Sequence, residues 1–66
     1  MAIKIQRLPS VLRDTGFSRG TLLRRVAAGE FPKPISLGSG RAIGWIESEV
    51  QEWLAEQVKA SRDESN

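Results

Sequence analysis

The sequence predicts a single domain that is mainly α-helical and carries one small β-hairpin. The chain has 66 residues, which suits one small domain and is too short for two. Apolar residues recur at helical spacing in three segments, and a short alternating segment leads into a Gly-Ser-Gly turn. Cysteine and histidine are both missing, which excludes disulfides, Cys/His zinc sites and a Ser-His-Asp triad.

The two ends of the chain are predicted to differ from the domain between them. The first six residues alternate too briefly for a secure strand, so residues 1–6 are predicted to be an N-terminal arm or a short strand. Residues 7–59 are predicted to form the folded domain, and residues 60–66 are predicted to be a disordered tail. No apolar run reaches the roughly 18 residues of a membrane span. The lack of cysteine is consistent with a cytoplasmic location.

The segment 8–16 is predicted to contain the first helix. Pro9 suits the first helical position, where its missing N–H is not needed. Gly16 suits the left-handed position just past the helix end. Leu8, Val11 and Leu12 recur at i, i+3 and i+4, so one face of this helix is predicted to be apolar.

The second helix is predicted over residues 19–28, with Ser18 as its N-cap and Gly29 as its stop. The Ser18 hydroxyl can accept a hydrogen bond from a backbone N–H two or three residues later. Leu22 and Val26 form a narrow apolar stripe, and three arginines of this segment fall outside it. Two short helices joined by a few residues that include glycine are typical of a helix-turn-helix.

A β-hairpin is predicted over about residues 35–46, followed by a last helix from Glu47 to about Lys59. Pro32 and Pro34 interrupt helical structure before the hairpin. A lone hairpin is marginal in water, so its apolar side chains should pack on the helices. Those side chains are Ile35, Leu37, Ile43 and Trp45. The apolar stripe of the last helix is Val50, Trp53, Leu54 and Val58. This order of elements predicts a winged helix-turn-helix.

The formal net charge of +2 conceals a strong polarity along the chain. Residues 1–45 contain eight basic and two acidic side chains, a net charge of +6. Residues 46–66 contain two basic and six acidic side chains, a net charge of −4. A basic majority with an acidic end favours an oriented approach to a polyanion.

Fourteen residues at fixed spacing form a motif that resembles the AlpA-type prophage regulators, over roughly residues 7–58. They are Thr15, Gly16, Ser18, Thr21, Gly29, Phe31, Pro32, Pro34, Leu37, Trp45, Glu49, Val50, Trp53 and Leu54. The resemblance implies a small DNA-binding regulator whose fold is similar to MerR-type activators and phage excisionases. The family has a tyrosine where this chain has Leu23. If that phenol bonds a phosphate, this chain depends more on Arg24 or Arg25.

Residues of the second helix are the first candidates for DNA contact, because this helix enters the major groove in a helix-turn-helix. Arg24, and next Arg19, can donate two hydrogen bonds to guanine. Gly20 would let the backbone approach closely, or is simply a weak helix position. Ser18 and Thr21 are candidates for phosphate contact at the helix N-terminus, or serve in capping alone.

Further candidates lie beside that helix and at the hairpin tip. Arg25 is a candidate DNA contact, and its alternative is a surface salt bridge with Glu30 or Asp14. A basic residue beside a glycine turn is what phosphate contact requires, although a solvated turn has the same composition. The candidates in the hairpin region are Lys33, Ser39 and Arg41.

The predicted function is sequence-specific DNA binding by a transcriptional regulator of phage or prophage genes. The recognition helix is about 18–28, and the wing at the DNA backbone is about 35–46. One alternative is an excisionase-like accessory protein that bends DNA for a recombinase. A second is a protein-interaction module, such as an antirepressor, that uses the acidic last helix. The expected partners are double-stranded DNA, a second copy of the chain, and polymerase or a recombinase. The chain has no nucleophile–base set, so neither enzymatic activity nor a cofactor is predicted.

Overall fold

Three helices and three short strands occur in the part of the chain that the structure, a computed structural model, describes: residues 2–38, 40 and 42–64. The prediction of a mainly α-helical fold with a small β-hairpin is confirmed. In chain order the elements are β1 (Ile5–Gln6), α1 (Leu8–Thr15), α2 (Arg19–Ala27), β2 (Ile35–Ser36), β3 (Ile43–Ile46) and α3 (Glu47–Glu64).

Local capping interactions define the turn between α1 and α2. Gly16 adopts a left-handed conformation (φ 77°), and its N–H donates a hydrogen bond to the carbonyl oxygen of Leu12 at 2.8 Å. The Ser18 hydroxyl accepts the backbone N–H of Thr21 at 3.3 Å and donates to the Thr21 side-chain oxygen at 2.9 Å. Both predicted caps are confirmed. Pro9 is the second residue of α1 rather than the first, which the missing N–H also permits.

The sheet has one strand more than the predicted hairpin. Strand β3 lies in the middle, between β1 and β2, and both neighbours are antiparallel to it. Gln6 of β1 lies opposite Trp45, and Ile35 of β2 lies opposite Gly44. The backbone N–H of Glu47 donates to the carbonyl oxygen of Lys4 at 2.8 Å, so the residue just before β1 is bonded to the first residue of α3.

The core draws one buried side chain from each helix, from β3 and from the α2–β2 connection. These side chains are Val11, Leu22, Phe31, Trp45 and Val50. Leu8, Leu12, Phe17, Val26, Ile43, Trp53 and Leu54 pack around them. A small domain has little apolar area to bury, so each of these side chains contributes a large share of the free energy of unfolding.

The expectation that Ile35 and Leu37 pack on the helices is wrong. Directly opposed residues of an antiparallel pair project to the same side of the sheet, so Ile35 shares the outer face with Gly44. The Leu37 side chain also lies close to Gly44 on that face. Trp45 points to the helices instead, because neighbouring positions of a strand alternate. The pairing register therefore leaves Ile35 37% exposed.

Helix α3 extends beyond its predicted end at Lys59 and continues to Glu64. Residues 60–64 are helical rather than the start of a disordered tail. This segment has no glycine or proline, and alanine, arginine and glutamate are favourable in helices. Val58 is 51% exposed, so the buried part of the apolar stripe ends at Leu54. None of the helices in the described part has the length and apolar composition needed to cross a membrane.

Candidate nucleic-acid interface

Helix α2 carries two exposed cations that no residue in the described part of the chain neutralises. Arg19 and Arg24 are exposed, and neither guanidinium forms a hydrogen bond or ion pair with a described residue. With 3.6 residues per turn, Gly20 and Arg24 lie opposite the buried Leu22. The face of α2 opposite Leu22, called the basic face below, is therefore open and has Arg24 at its centre.

The capping residues of α2 stand at the edge of the same face. Ser18 is exposed and Thr21 is half-buried. Their hydroxyls bond each other, so the capping role predicted for both is present. The exposed Ser18 oxygen nevertheless stays at the surface beside the first N–H groups of the helix, where an anion is favoured.

Arg25 lies one turn after Thr21 on the same flank of α2, where its guanidinium covers an aromatic ring. Its guanidinium carbon lies 4.8 Å from the centre of the Phe17 ring, in cation–π geometry. Phe17 in turn meets Trp53 edge to face at 5.9 Å. The expected alternative, a salt bridge of Arg25 with Glu30 or Asp14, does not form between these described residues. Arg25 is half-buried, and it lies at the margin of the basic face.

Two indole rings hold the connection between α2 and β2. The Trp45 N–H donates to the carbonyl oxygen of Pro32 at 2.8 Å, and the Trp53 N–H donates to that of Glu30 at 2.9 Å. Phe31 packs edge to face on both rings, with centroids 6.4 and 4.8 Å away. These rings have structural roles, as their spacing predicted. Lys33 follows this fixed segment and is exposed.

Two candidates at the hairpin tip, Ser39 and Arg41, lie outside the described residues. The turn around them is defined by neighbouring residues. Gly38 and Gly40 have positive φ angles of 117° and 77°, which glycine adopts without strain. The N–H of Leu37 donates to the carbonyl oxygen of Ala42 at 2.9 Å and closes the hairpin.

Arg7 is a further basic residue of this surface, although no sequence motif marks it as a DNA contact. It occupies the N-cap position of α1, and its Nε donates to the carbonyl oxygen of Ile43 on β3 at 3.1 Å. Arg7 and Arg19 line the same cleft, of about 390 Å³, together with Leu8, Pro9 and Ile43. Its position directly before Leu8 and Pro9 marks the start of α1, but its proximity to Arg19 depends on the tertiary fold.

The described residues include no cluster of three or more acidic side chains that could hold a metal ion. What they present is a small, mainly helical domain with an exposed basic face on its second helix, which is the surface character of a nucleic-acid-binding protein. The model of the family described as prophage CP4-57 regulatory protein (AlpA) matches residues 4–58. The chain belongs to this family.

Two relatives show the same similarity. The DNA-binding transcriptional activator AlpA of Escherichia coli (strain K12) is 38% identical over 64 residues, which covers 88% of this chain and 90% of the relative. The uncharacterized protein ORF88 of Enterobacteria phage P4 is 40% identical over 52 residues, 79% of this chain. The match spans only 58% of the phage protein. No solved structure matches the chain.

Proposed function

We propose that the chain is a cytoplasmic, sequence-specific DNA-binding transcriptional regulator of phage or prophage genes. The observation that carries the proposal is the exposed pair Arg19 and Arg24, which have no partner among the described residues, on a helix that follows a short capped turn. Membership of a prophage regulatory family supports it, as does the similarity to an E. coli protein named as a DNA-binding transcriptional activator.

In this proposal α1 and α2 act as a helix-turn-helix, and residues 18–28 enter the major groove. Arg24 lies at the centre of the outer face and donates two hydrogen bonds to a guanine, and Arg19 contacts the DNA nearer the helix start. Gly20 favours close approach, because no atom lies within 4 Å of the position that a Cβ would take there. Loss of the family tyrosine at Leu23 leaves a 39% exposed apolar side chain beside these contacts.

The remaining candidates contact the DNA backbone. The β2–β3 hairpin acts as a wing, with Ser39 and Arg41 at its tip. Lys33 is exposed beside it and supplies a further charge. Ser18 and Thr21 approach a phosphate at the start of α2, and Arg25, one turn after Thr21, contacts the backbone on the same flank. The acidic helix α3, which carries Glu47, Glu49, Glu52 and Glu56, is repelled by DNA and faces away from it.

A salt titration of DNA binding tests this function. With about five or six phosphate contacts, the logarithm of the binding constant should fall with the logarithm of salt concentration at a slope near −5. A slope near zero contradicts the proposal. A selection from random duplexes would then give the preferred sequence, the site length and its symmetry, and symmetric half-sites would support binding as a dimer or cooperative array. A circular-permutation assay on that site separates a regulator that leaves DNA straight from an excisionase-like protein that bends it.

A further inference from the structure

We propose that Arg7 and Arg19 together bind one backbone phosphate of duplex DNA in the cleft between α1, α2 and β3. This inference rests on the proposed function and adds to it a contact from the start of the first helix. The cleft, of about 390 Å³, is lined by both arginines, by Leu8 and Pro9 of α1, and by Ile43 of β3. A phosphodiester group is the ligand class that fits two guanidinium groups in an open cleft at a DNA-facing surface.

The charges of the cleft favour an anion. The five lining residues include two arginines and no carboxylate. Neither Arg7 nor Arg19 forms an ion pair with a described residue. Two cations that share one cleft repel each other, so their placement is unfavourable in the free protein and becomes favourable when a phosphate lies between them.

The Arg7 side chain is held in place before any ligand arrives. Its Nε donates to the Ile43 carbonyl oxygen at 3.1 Å, a contact between residues 36 positions apart in the chain. This bond uses one donor of the guanidinium and leaves its terminal amino groups available for a phosphate. A side chain that is already ordered loses less conformational entropy on binding. The same bond joins the start of α1 to β3, so a phosphate bound at Arg7 would lie beside both elements.

The position of Arg19 supports the same site from the second helix. Arg19 is the first residue of α2 and is exposed. Since Arg24 lies at the centre of the outer face, Arg19 is rotated toward the flank that meets the cleft. Arg19 therefore contacts this phosphate at the edge of the groove, and Arg24 keeps the direct contact with a base. The assignment of Arg19 as a base contact is thereby replaced by a backbone role.

The test compares Arg7→Gln, Arg19→Gln and the double variant with Arg13→Gln. Arg13 is an exposed arginine of α1 outside the cleft, so this control makes the same change in net charge. We expect Arg7→Gln and Arg19→Gln to weaken binding about tenfold, equally on the selected duplex and on a scrambled duplex. Arg13→Gln should change affinity less than about twofold.

The salt slope distinguishes one shared phosphate from two. Neutralising a single phosphate contributes a slope of about −0.9, so the double variant should make the slope about one unit less steep. A change of about two units would mean separate phosphates and would overturn the shared site. If wild-type protein shows no salt-dependent DNA binding, the proposed function fails. If wild-type binding is steep and the cleft variants behave like Arg13→Gln, only the phosphate site is wrong.

A measurement on the wild-type chain keeps the inference testable if Arg7→Gln fails to fold. The Nε–H resonance of Arg7 in a ¹H–¹⁵N spectrum should shift when a duplex of about ten base pairs is added, because the Arg7 guanidinium then binds a backbone phosphate. The Arg13 Nε–H resonance should stay in place. An unchanged Arg7 resonance at saturating duplex would overturn the proposal.

Discussion

The indole N–H of Trp45 donates a 2.8 Å hydrogen bond to the carbonyl oxygen of Pro32, and this bond joins β3 to the connection that follows α2. Trp45 is fully buried, and Phe31, beside Pro32, packs edge to face against its ring. This hydrogen bond and ring contact fix where the hairpin begins relative to α2. In a chain without disulfides, it links the wing and the recognition helix of the proposed interface.

Replacement of Trp45 by phenylalanine should therefore destabilise the domain. The change leaves the Pro32 carbonyl oxygen without its donor and removes part of a fully buried ring. We expect a loss of about 2–4 kcal/mol in the free energy of unfolding, measured by urea denaturation with far-UV circular dichroism. Trp53→Phe is the matched control, since it removes a similar bond to Glu30 from a half-buried ring. Equal losses in the two variants would contradict the dominant role of Trp45.

Gly44 should not tolerate alanine, because side chains and backbone of the neighbouring residues Ile5, Gln6 and Leu37 occupy the space that a Cβ would need. An added Cβ would lie 2.5 Å from Cγ2 of Ile5, and 3.1 Å from both the backbone oxygen of Gln6 and Cδ1 of Leu37. The backbone oxygen cannot move without disturbing the β1–β3 pairing, so we expect Gly44→Ala to cost about 1–3 kcal/mol of stability. The measurement is thermal or urea unfolding. A neutral effect would show that β1 does not pack closely on β3.

Gly20→Ala should stabilise the domain, and it serves as the control for Gly44→Ala. No atom lies within 4 Å of the added Cβ, and alanine is favoured over glycine inside a helix. We expect this variant to gain about 0.5–1 kcal/mol in the free energy of unfolding. If α2 approaches DNA as proposed, the same variant should bind DNA more weakly. A variant that is both more stable and fully active would place Gly20 outside the interface.

These positions also show which parts of the structure the sequence can predict. The caps at Gly16 and Ser18 were predictable because their partners, Leu12 and Thr21, lie within four residues in the chain. Helical spacing likewise identified Leu22 as a core residue. Such interactions depend on local backbone geometry, which a short stretch of sequence determines.

Long-range pairing could not be predicted in the same way. The outward position of Ile35 follows from its register with Gly44, and a shift of one residue would reverse it. The sequence allowed β1 to be an arm, and only its pairing with β3 makes it a strand. The cleft shared by Arg7 and Arg19 also depends on how α1, α2 and β3 pack together. Residue type and position in the second helix identified Arg19 and Arg24 as candidates, but the sequence did not show that a cleft lies beside Arg19.

Arg25 should contribute to stability, unlike its neighbour Arg24. The Arg25 guanidinium lies 4.8 Å from the Phe17 ring centre, and a contact of this kind at a partly exposed site contributes about 0.5–1 kcal/mol. We expect Arg25→Gln to lower the free energy of unfolding by about that amount. Arg24→Gln should leave it within about 0.5 kcal/mol of wild type, because Arg24 is exposed and has no described partner. Urea unfolding of both variants in parallel decides between these outcomes, and equal stabilities would exclude a structural role for Arg25.

Arg24 and Arg41 should affect DNA binding in different ways, because one is proposed to contact a base and the other the backbone. A bidentate arginine–guanine contact provides about 1–3 kcal/mol of discrimination between bases. Arg24→Ala should therefore lose affinity mainly for the selected duplex and little for a scrambled one. Arg41→Ala should weaken both duplexes by a similar factor and make the salt slope about one unit less steep. Binding isotherms on the two duplexes at several salt concentrations measure both effects. If the two variants lose the same affinity on each duplex, the division between a reading helix and a backbone-contacting wing is wrong.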